Sequence, residues 1–390
     1  MYVHIDIIRL ILLKLKVEAL IRCQCVCKEW RSIIQDPDFK LSYPGPRRVL
    51  AAASGGTLTF TSITTSSLHT KTLFHVSENR SSLDTFPPIY RWLSGVWCSC
   101  NGLVLFSVGK HILLWNPSTR CCTKVLELPH LSNTFPDDVV SGLCYLSSTG
   151  DYKAVLLFRF GGNRTAMVAS LKNKEWRKVP FPYDPYSARD GVNFHDTLHW
   201  RVNGSRNIAF PWRCKKVIYF QAESDEFKEL PTPELHGWKS AILGLGIMDG
   251  CLCMVHEGEE RGEKKVLVMK EYGVKKSWVC QFVISASAFA SELFSFEHSY
   301  ITLYSSKCNT KVLICNCFCF YGSWEILVYD VKNNKTDNYF SQESEHPHAA
   351  AICSYVQSFV SPHEFIWRDD QHKLTENDSV LRFILERFNI

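Results

Sequence analysis

The chain has 390 residues, of which 46% are apolar, 13% aromatic and 21% charged. That is enough apolar content for large cores and too much for a disordered polymer. Its 44 Lys and Arg against 39 Asp and Glu leave a net charge of +5, spread without basic blocks, so no nucleic acid and no membrane surface is expected as principal partner.

From Asp6 to Gln35 there is no glycine or proline, and apolar residues recur at helical spacing. Ile7, Ile8, Ile11, Leu12 and Leu15 form one stripe, and Asp6 can cap the helix. Leu10 and Leu13 widen the stripe until Arg9 and Lys14 are nearly the only polar positions between Ile7 and Leu15. Such a helix must be covered on two sides. A second helix over 18–26 and a third over 28–35 follow with almost no linker, and Asp36-Pro37-Asp38 reads as a helix stop. Three short helices in about 35 residues bury their own apolar surface poorly. The missing cover is a partner protein or the rest of the chain, and periodicity alone leaves both open.

After Pro44-Gly45-Pro46 the pattern becomes short apolar runs broken by Gly, Asn, Asp, Pro and Ser, which reads as many short strands. Two kinds of hairpin alternate. One is seen in ILLWNPSTRCCTKVLELP, VASLKNKEWRKVP, VIYFQAESDEFKELP, VLVMKEYGVKKSW and ILVYDVKNNKTDNYF; the other in WCSCNGLVLF, YLSSTGDYKAVLLF, GVNFHDTLHW, GIMDGCLCMV and YSSKCNTKVLI. Trp176, Phe227 and Trp278 fall 51 residues apart each time. Asn101-Gly102 and Asp249-Gly250 are the strongest hairpin signals, because type I′ turns need positive φ at both central residues. Two hairpins per repeat make four strands, the signature of a β-propeller blade. Five blades are drawn at 92–130, 140–182, 190–233, 242–284 and 298–342, with 47–90, turning at Gly55-Gly56, as a degenerate sixth. The apolar stretch 349–360 is then free to close the ring by joining the first blade. Six blades are expected, with seven as the alternative, and 380–388 reads as a short amphipathic helix behind Asp378 and Ser379.

The 17 cysteines include no C-x-x-C pair, and the opening MYVHIDIIRLILLKLK shows no signal-peptide cleavage pattern. They read as cytosolic or nuclear thiols. The C-x-C groups Cys98/Cys100, Cys251/Cys253 and Cys315/Cys317/Cys319 put sulfurs on one face of a strand, as small buried hydrophobes rather than zinc ligands. The most apolar long stretch, 312–329, carries Asn316, Gly322, Ser323 and Glu325, so a soluble chain is expected. Enzyme motifs are lacking: His195/His199, His346/His348 and Asp369/Asp370 are the nearest to a paired site, and 257–265 reads as a solvated loop. No metal and no cofactor is expected.

The segment DIIRLILLKLKVEALIRCQCVCKEWRSIIQDPDF, above all CVCKEWRSIIQDP from Cys25 to Pro37, closely resembles the F-box. The runs LLWNPSTR, SGLCYLSSTGDYKAV, LHW, ELPTPE, LGIMDGCLCM and MKEYGVKKSW resemble the plant F-box-associated interaction domain. The resemblance covers nearly the whole chain. It implies a small all-α F-box over 1–44, an all-β propeller-like substrate-recognition domain over 45–365 and a tail with a short helix over 366–390. It further implies a plant source, cytoplasmic or nuclear location, and a non-catalytic substrate receptor of an SCF-type cullin-RING ubiquitin ligase. In that assembly a Skp-type adaptor binds the F-box and brings cullin and RING subunits, while the propeller selects a target protein. Ile7, Ile8, Ile11, Leu12, Leu15, Val17, Leu20, Val26, Cys27 and Trp30 are the expected adaptor-binding residues. Cys27 and Trp30 could instead hold the helices to one another. Two prolines of the family pattern are replaced, by His4 and by Lys16 ahead of Val17, which predicts weaker adaptor binding and keeps open an adaptor-free scaffold with a decayed F-box. A propeller enzyme is the remaining alternative.

Both hairpin turns of a four-stranded blade lie on one face, so the longer links lie on the other. Those links carry Phe135, Tyr183, Tyr186, Trp212, Arg213, His236 and Trp238, residue types that interfaces favour. This is the expected substrate face.

Overall fold

The computed structural model describes residues 4–54, 57–64, 70–77, 97–108, 111–127, 139–160, 163–183, 191–202, 214–234, 241–258, 260, 262–285, 300–305, 311–318, 323–342 and 350–365. Helices come first: α1 (Ile5–Leu12), α2 (Val17–Cys23), α3 (Lys28–Gln35) and α4 (Pro37–Ser42). The fourth corrects the sequence reading. Asp36 does end α3, yet its Oδ1 accepts from the Phe39 amide at 2.8 Å and Pro37 stands at the first helical position, so the stop is also a start.

Six four-stranded blades follow. Blade 1 uses β1 (Arg47–Ser54), β2 (Thr57–Thr64) and β3 (Thr70–Ser77); blade 2 β4 (Trp97–Cys100), β5 (Leu103–Val108), β6 (His111–Asn116) and β7 (Cys121–Glu127). Blade 3 is β8 (Val140–Leu146), β9 (Asp151–Phe160), β10 (Asn163–Ser170) and β11 (Trp176–Val179), and blade 4 is β12 (Val192–Phe194), β13 (Thr197–Val202), β14 (Lys216–Gln221) and β15 (Glu226–Leu230). Blade 5 is β16 (Ile242–Met248), β17 (Cys251–Glu257), β18 (Lys264–Met269) and β19 (Trp278–Ile284), and blade 6 is β20 (Tyr300–Ser305), β21 (Lys311–Phe318), β22 (Ser323–Asp330) and β23 (Lys335–Gln342). The last strand, β24 (Ala350–Val356), returns to blade 1 as its inner strand, pairing antiparallel with β1 from Arg47↔Val356 to Ala53↔Ala350. The expected ring closure is therefore present, and six blades replace the alternative of seven. β17 and β18 absorb Glu257, Lys264 and Lys265, which the sequence reading had put in a loop. The expected C-terminal helix and Gly55-Gly56 lie outside the described residues.

Neighbouring blades pack face against face, and strands such as β6 are buried along their whole length. Between blades 2 and 3, Leu105 and Leu114 meet Leu143, Leu156 and Phe158; between 3 and 4, Leu157 and Val168 meet Trp200 and Phe220. The 51-residue period has a physical meaning here. Trp176 Nε1 donates to the Glu127 carbonyl at 2.6 Å and Trp278 Nε1 to the Pro231 carbonyl at 2.9 Å, each tying an outer strand to the blade before it. Phe227, the residue midway between them, packs against Phe181, Trp200 and Phe220 without a donor. Asn101 (φ 50°) and Gly102 (φ 81°) form the expected type I′ turn, as do Asp249 (φ 53°) and Gly250 (φ 68°). His195 (φ 49°) and Asp196 (φ 57°) make the same turn in blade 4 without a glycine.

Candidate functional site

Eleven large apolar side chains are exposed among the described residues, and seven belong to the helical unit: Ile5, Ile7, Leu10, Ile11, Ile21, Val26 and Leu41. The other four, Tyr272, Val274, Val279 and Val283, lie on β19 and the turn before it. Leu10 is 61%, Ile11 51% and Val26 63% exposed. Burial of that much apolar surface against a partner is strongly favoured.

The ten residues expected to bind an adaptor divide into three groups. Ile7, Ile11, Val26 and Cys27 are exposed; Ile8, Leu15 and Trp30 are partly exposed. Leu12, Val17 and Leu20 are at most 2% exposed and form the unit's own core with Ile33, Ile34 and Phe39. That is a correction: side chains enclosed by α1, α2 and α3 have no area to offer a partner. The physical reason is that a helix covered twice has an inner and an outer face, and the stripe read from the sequence contains both. Cys27 caps α3, its Sγ accepting from the Trp30 amide at 3.4 Å. Ile5, Leu10 and Ile21 join the outer face; only Leu10 stood out in the sequence, as an apolar residue widening the stripe.

The inner core is completed from the far end of the chain. Phe359, 6% exposed, packs against Phe39 (ring centroids 5.7 Å apart) and edge-on to Tyr43 (5.3 Å), while the Tyr43 hydroxyl donates to the Leu15 carbonyl at 2.8 Å. Lys40 pairs with Glu364, and the Gln357 amide donates to the Pro46 carbonyl at 3.0 Å. The helices thus sit on the hairpin-turn face of the ring. There Lys40, Leu41 and Tyr43 share a cavity of about 400 Å³ with the turns at Asn101-Gly102 and His195-Asp196. Burial raises the Asp196 carboxyl above the usual carboxylate range, partly offset by neighbouring His195.

The strands joined by the longer links end on the opposite face. Phe135, Tyr186, Trp212, Arg213, His236 and Trp238 lie outside the described residues. Tyr183 is described and partly buried. Its ring meets Phe181 edge-on at 5.8 Å and its hydroxyl donates to Glu229 Oε1 at 3.3 Å, bridging blades 3 and 4. Burial and the Glu229 charge push that hydroxyl up to about 12.

His199 is fully buried, with Nε2 2.7 Å from the Tyr272 hydroxyl and Nδ1 3.4 Å from the Val192 carbonyl, and burial lowers its pKa to about 4. His195 instead stacks on Phe194 at 4.0 Å, so the two histidines do not converge on one point. Cys144, Cys253 and Cys353 are pushed up to about 12 by burial and stay protonated. Among the described residues no cluster of His, Cys, Asp and Glu has metal-binding geometry, and no helix is long and apolar enough to cross a membrane.

Two family models match the sequence, an F-box domain over residues 4–42 and an F-box associated beta propeller domain over residues 61–362. An F-box/kelch-repeat protein of Arabidopsis thaliana is 32% identical over 282 residues, covering 69% of this chain and 75% of its own. F-box protein CPR1 of Arabidopsis thaliana is 28% identical over 350 residues, covering 80% and 79%. Among solved structures, TolB from Acinetobacter baumannii aligns with a TM-score of 0.44 at 10% identity, covering 80% of this chain and 66% of that one.

Proposed function

This chain belongs to the F-box proteins that carry an F-box-associated β-propeller, and on that premise we propose that it is the target-selecting subunit of an SCF-type cullin-RING ubiquitin ligase. The outer face of α1 and α2, with Ile7, Leu10, Ile11, Ile21 and Val26 beside it, is the surface that receives a Skp-type adaptor. That exposed apolar face, on helices whose inner core is already closed, is the observation that carries the reading. Cullin and RING subunits arrive through the adaptor, and the chemistry of ubiquitin transfer is theirs. The target binds the propeller face away from the helices, where the longer links run between strand ends held by rigid blades. A cytoplasmic or nuclear setting suits the free thiols of thirteen of the described cysteines.

The test is a chain carrying Ile11→Asp and Val26→Asp, which puts two charges on the outer face and none in the core. It is expected to lose a purified Skp-type adaptor by about a hundredfold or more in affinity, with thermal unfolding of the propeller unchanged. Wild-type affinity in the double variant would reject the assignment of this face.

A further inference from the structure

Residues 357–365 leave β24 and hold two parts of the molecule at once. On the propeller side, Asn116 Nδ2 at the end of β6 donates to the Ser358 carbonyl (3.1 Å), the Ser358 Oγ (3.2 Å) and the Val360 carbonyl (2.8 Å). The Ser358 amide donates to Ser118 Oγ at 3.3 Å, in the turn that Asn116 itself nucleates. On the F-box side, Phe359 fills the core between Phe39 and Tyr43. Two glycines make room for the segment: a Cβ on Gly45 would stand 1.8 Å from the Gln357 carbonyl oxygen, and one on Gly102 would stand 2.2 Å from Ser358 Oγ. A flexible tether between two independent domains needs none of these fittings. Here one residue of an F-box core arrives more than 300 positions after the helices it joins, three residues beyond the strand β24 that pairs with β1.

We propose that this segment makes adaptor binding conditional on closure of the propeller ring. The F-box reaches its adaptor-competent form when the seam between β24 and β1 is shut and Phe359 is delivered. A chain that lacks its last strand, or whose seam has opened, offers an F-box with an unfilled core and is not enlisted into a ligase. Linkage makes the effect reciprocal: an adaptor that binds the completed F-box more tightly than the incomplete one must hold the seam closed. The reciprocal half rests on the adaptor reading above, whereas the dependence of the F-box on the seam does not.

Amide hydrogen exchange on the full chain tests both halves separately. Phe359→Ala is expected to lower protection of α2 and α3 by about tenfold or more while β13 and β14 of blade 4 keep theirs, and Phe359→Leu to recover most of the loss. If Phe359→Ala also loosens blade 4, Asn116→Ala decides: it frees the segment without touching the F-box core, and it must still raise exchange in α2 and α3. Saturating Skp-type adaptor on the wild-type chain is expected to slow exchange in β1 and β24 by about threefold or more, and Phe359→Ala to weaken adaptor binding by about tenfold. Unchanged protection of α2 and α3 in both Phe359→Ala and Asn116→Ala overturns the coupling. An adaptor that binds the wild-type chain tightly yet leaves the seam amides unaltered overturns the reciprocal half. A wild-type chain that binds no Skp-type adaptor sinks the ligase reading instead, and the exchange comparison of the variants still judges the coupling.

Discussion

In the propeller, an apolar side chain leaving a strand meets the next blade: β6 is buried throughout, and Leu114, Leu156 and Phe158 share one cluster across the gap between blades 2 and 3. The F-box has a neighbour on one side only. Its inner residues meet Phe359 and one another, while Ile7, Leu10, Ile11 and Val26 meet solvent. A closed ring can satisfy its own apolar residues, and a unit of four short helices cannot. Apolar excess is therefore left facing solvent in one region and becomes ordinary packing in the other. Among the described residues, blade 5 is where the propeller departs from this, since Val279 and Val283 on its outer strand are exposed and β19 carries no charged residue.

The contrast between inner and outer faces is broken most sharply by one substitution on each. Leu20→Asp puts an unpaired carboxylate among Leu12, Val17 and Phe39 and is expected to cost about 3–5 kcal/mol, unfolding α1 to α3. Ile11→Asp, half exposed already, is expected to change F-box stability by less than about 1 kcal/mol. Helix protection by hydrogen exchange separates the two. Equal losses in both variants would show that the outer face is part of the fold rather than a docking surface.

On the propeller side, the buried histidine provides the next largest effect. The neutral ring suits its place, with Nδ1–H donating to the Val192 carbonyl and Nε2 accepting from the Tyr272 hydroxyl. Burial lowers its pKa from 6.5 to about 4. The unfolded chain thus binds a proton that the folded chain refuses, so the stabilisation is intact above pH 6.5 and is lost as pH falls towards 4. The loss is on the order of 3 kcal/mol. Denaturant titrations at pH 7 and pH 4.5 should show it, and His199→Phe should remove most of that difference. A variant with the wild-type pH slope would place the acid sensitivity elsewhere.

Smaller still is the staple between blades. Trp278→Phe removes the donor to Pro231 and keeps an aromatic ring in the groove, as Phe227 does naturally in blade 4. Roughly 1 kcal/mol of stability should go, read as a shift in the denaturant midpoint. A loss above about 3 kcal/mol would mean that the indole fills space that a phenyl ring leaves empty.

Much of this architecture was legible because propellers repeat. The Asn-Gly and Asp-Gly turns, the 51-residue spacing and the alternation of two hairpins reported blade boundaries within a few residues, and the resemblance of Cys25 to Pro37 to the F-box named the helices. What stayed hidden depends on contacts between distant positions. Periodicity placed Leu12 in one stripe with Ile7 and Ile11, and the F-box resemblance added Val17 and Leu20 to the same surface, because an apolar pattern wide enough to be covered twice gives no sign of which half faces inward. Phe359 was read as part of an apolar strand closing the ring, and nothing local says that it ends inside the F-box. Asp36-Pro37 carried its stop and its start in the same dipeptide. Tyr183 looked like a loop aromatic until Glu229 of the next blade came within hydrogen-bonding distance.

The smallest expected effect concerns the two positions where the family pattern has proline. His4 precedes α1 with φ −62° and Lys16 precedes α2 with φ −71°, both within the range that a proline ring imposes. Lys16 makes no side-chain cap and sets a positive charge at the positive end of the α2 dipole. Lys16→Pro removes that charge and lowers the entropy of the unfolded chain, and should add about 0.4–1 kcal/mol to F-box stability. His4→Pro lowers that entropy too but gives up the α1 cap, in which His4 Nδ1 accepts from the Asp6 amide at 3.4 Å, so its gain should be smaller. The gain reaches the adaptor only in so far as the free F-box is incompletely folded. A double variant that raises helix protection without tightening the adaptor would mean the wild-type F-box is already fully formed on the closed ring. A double variant that tightens it severalfold would mean the two replaced prolines leave this F-box dependent on the adaptor as well as on Phe359.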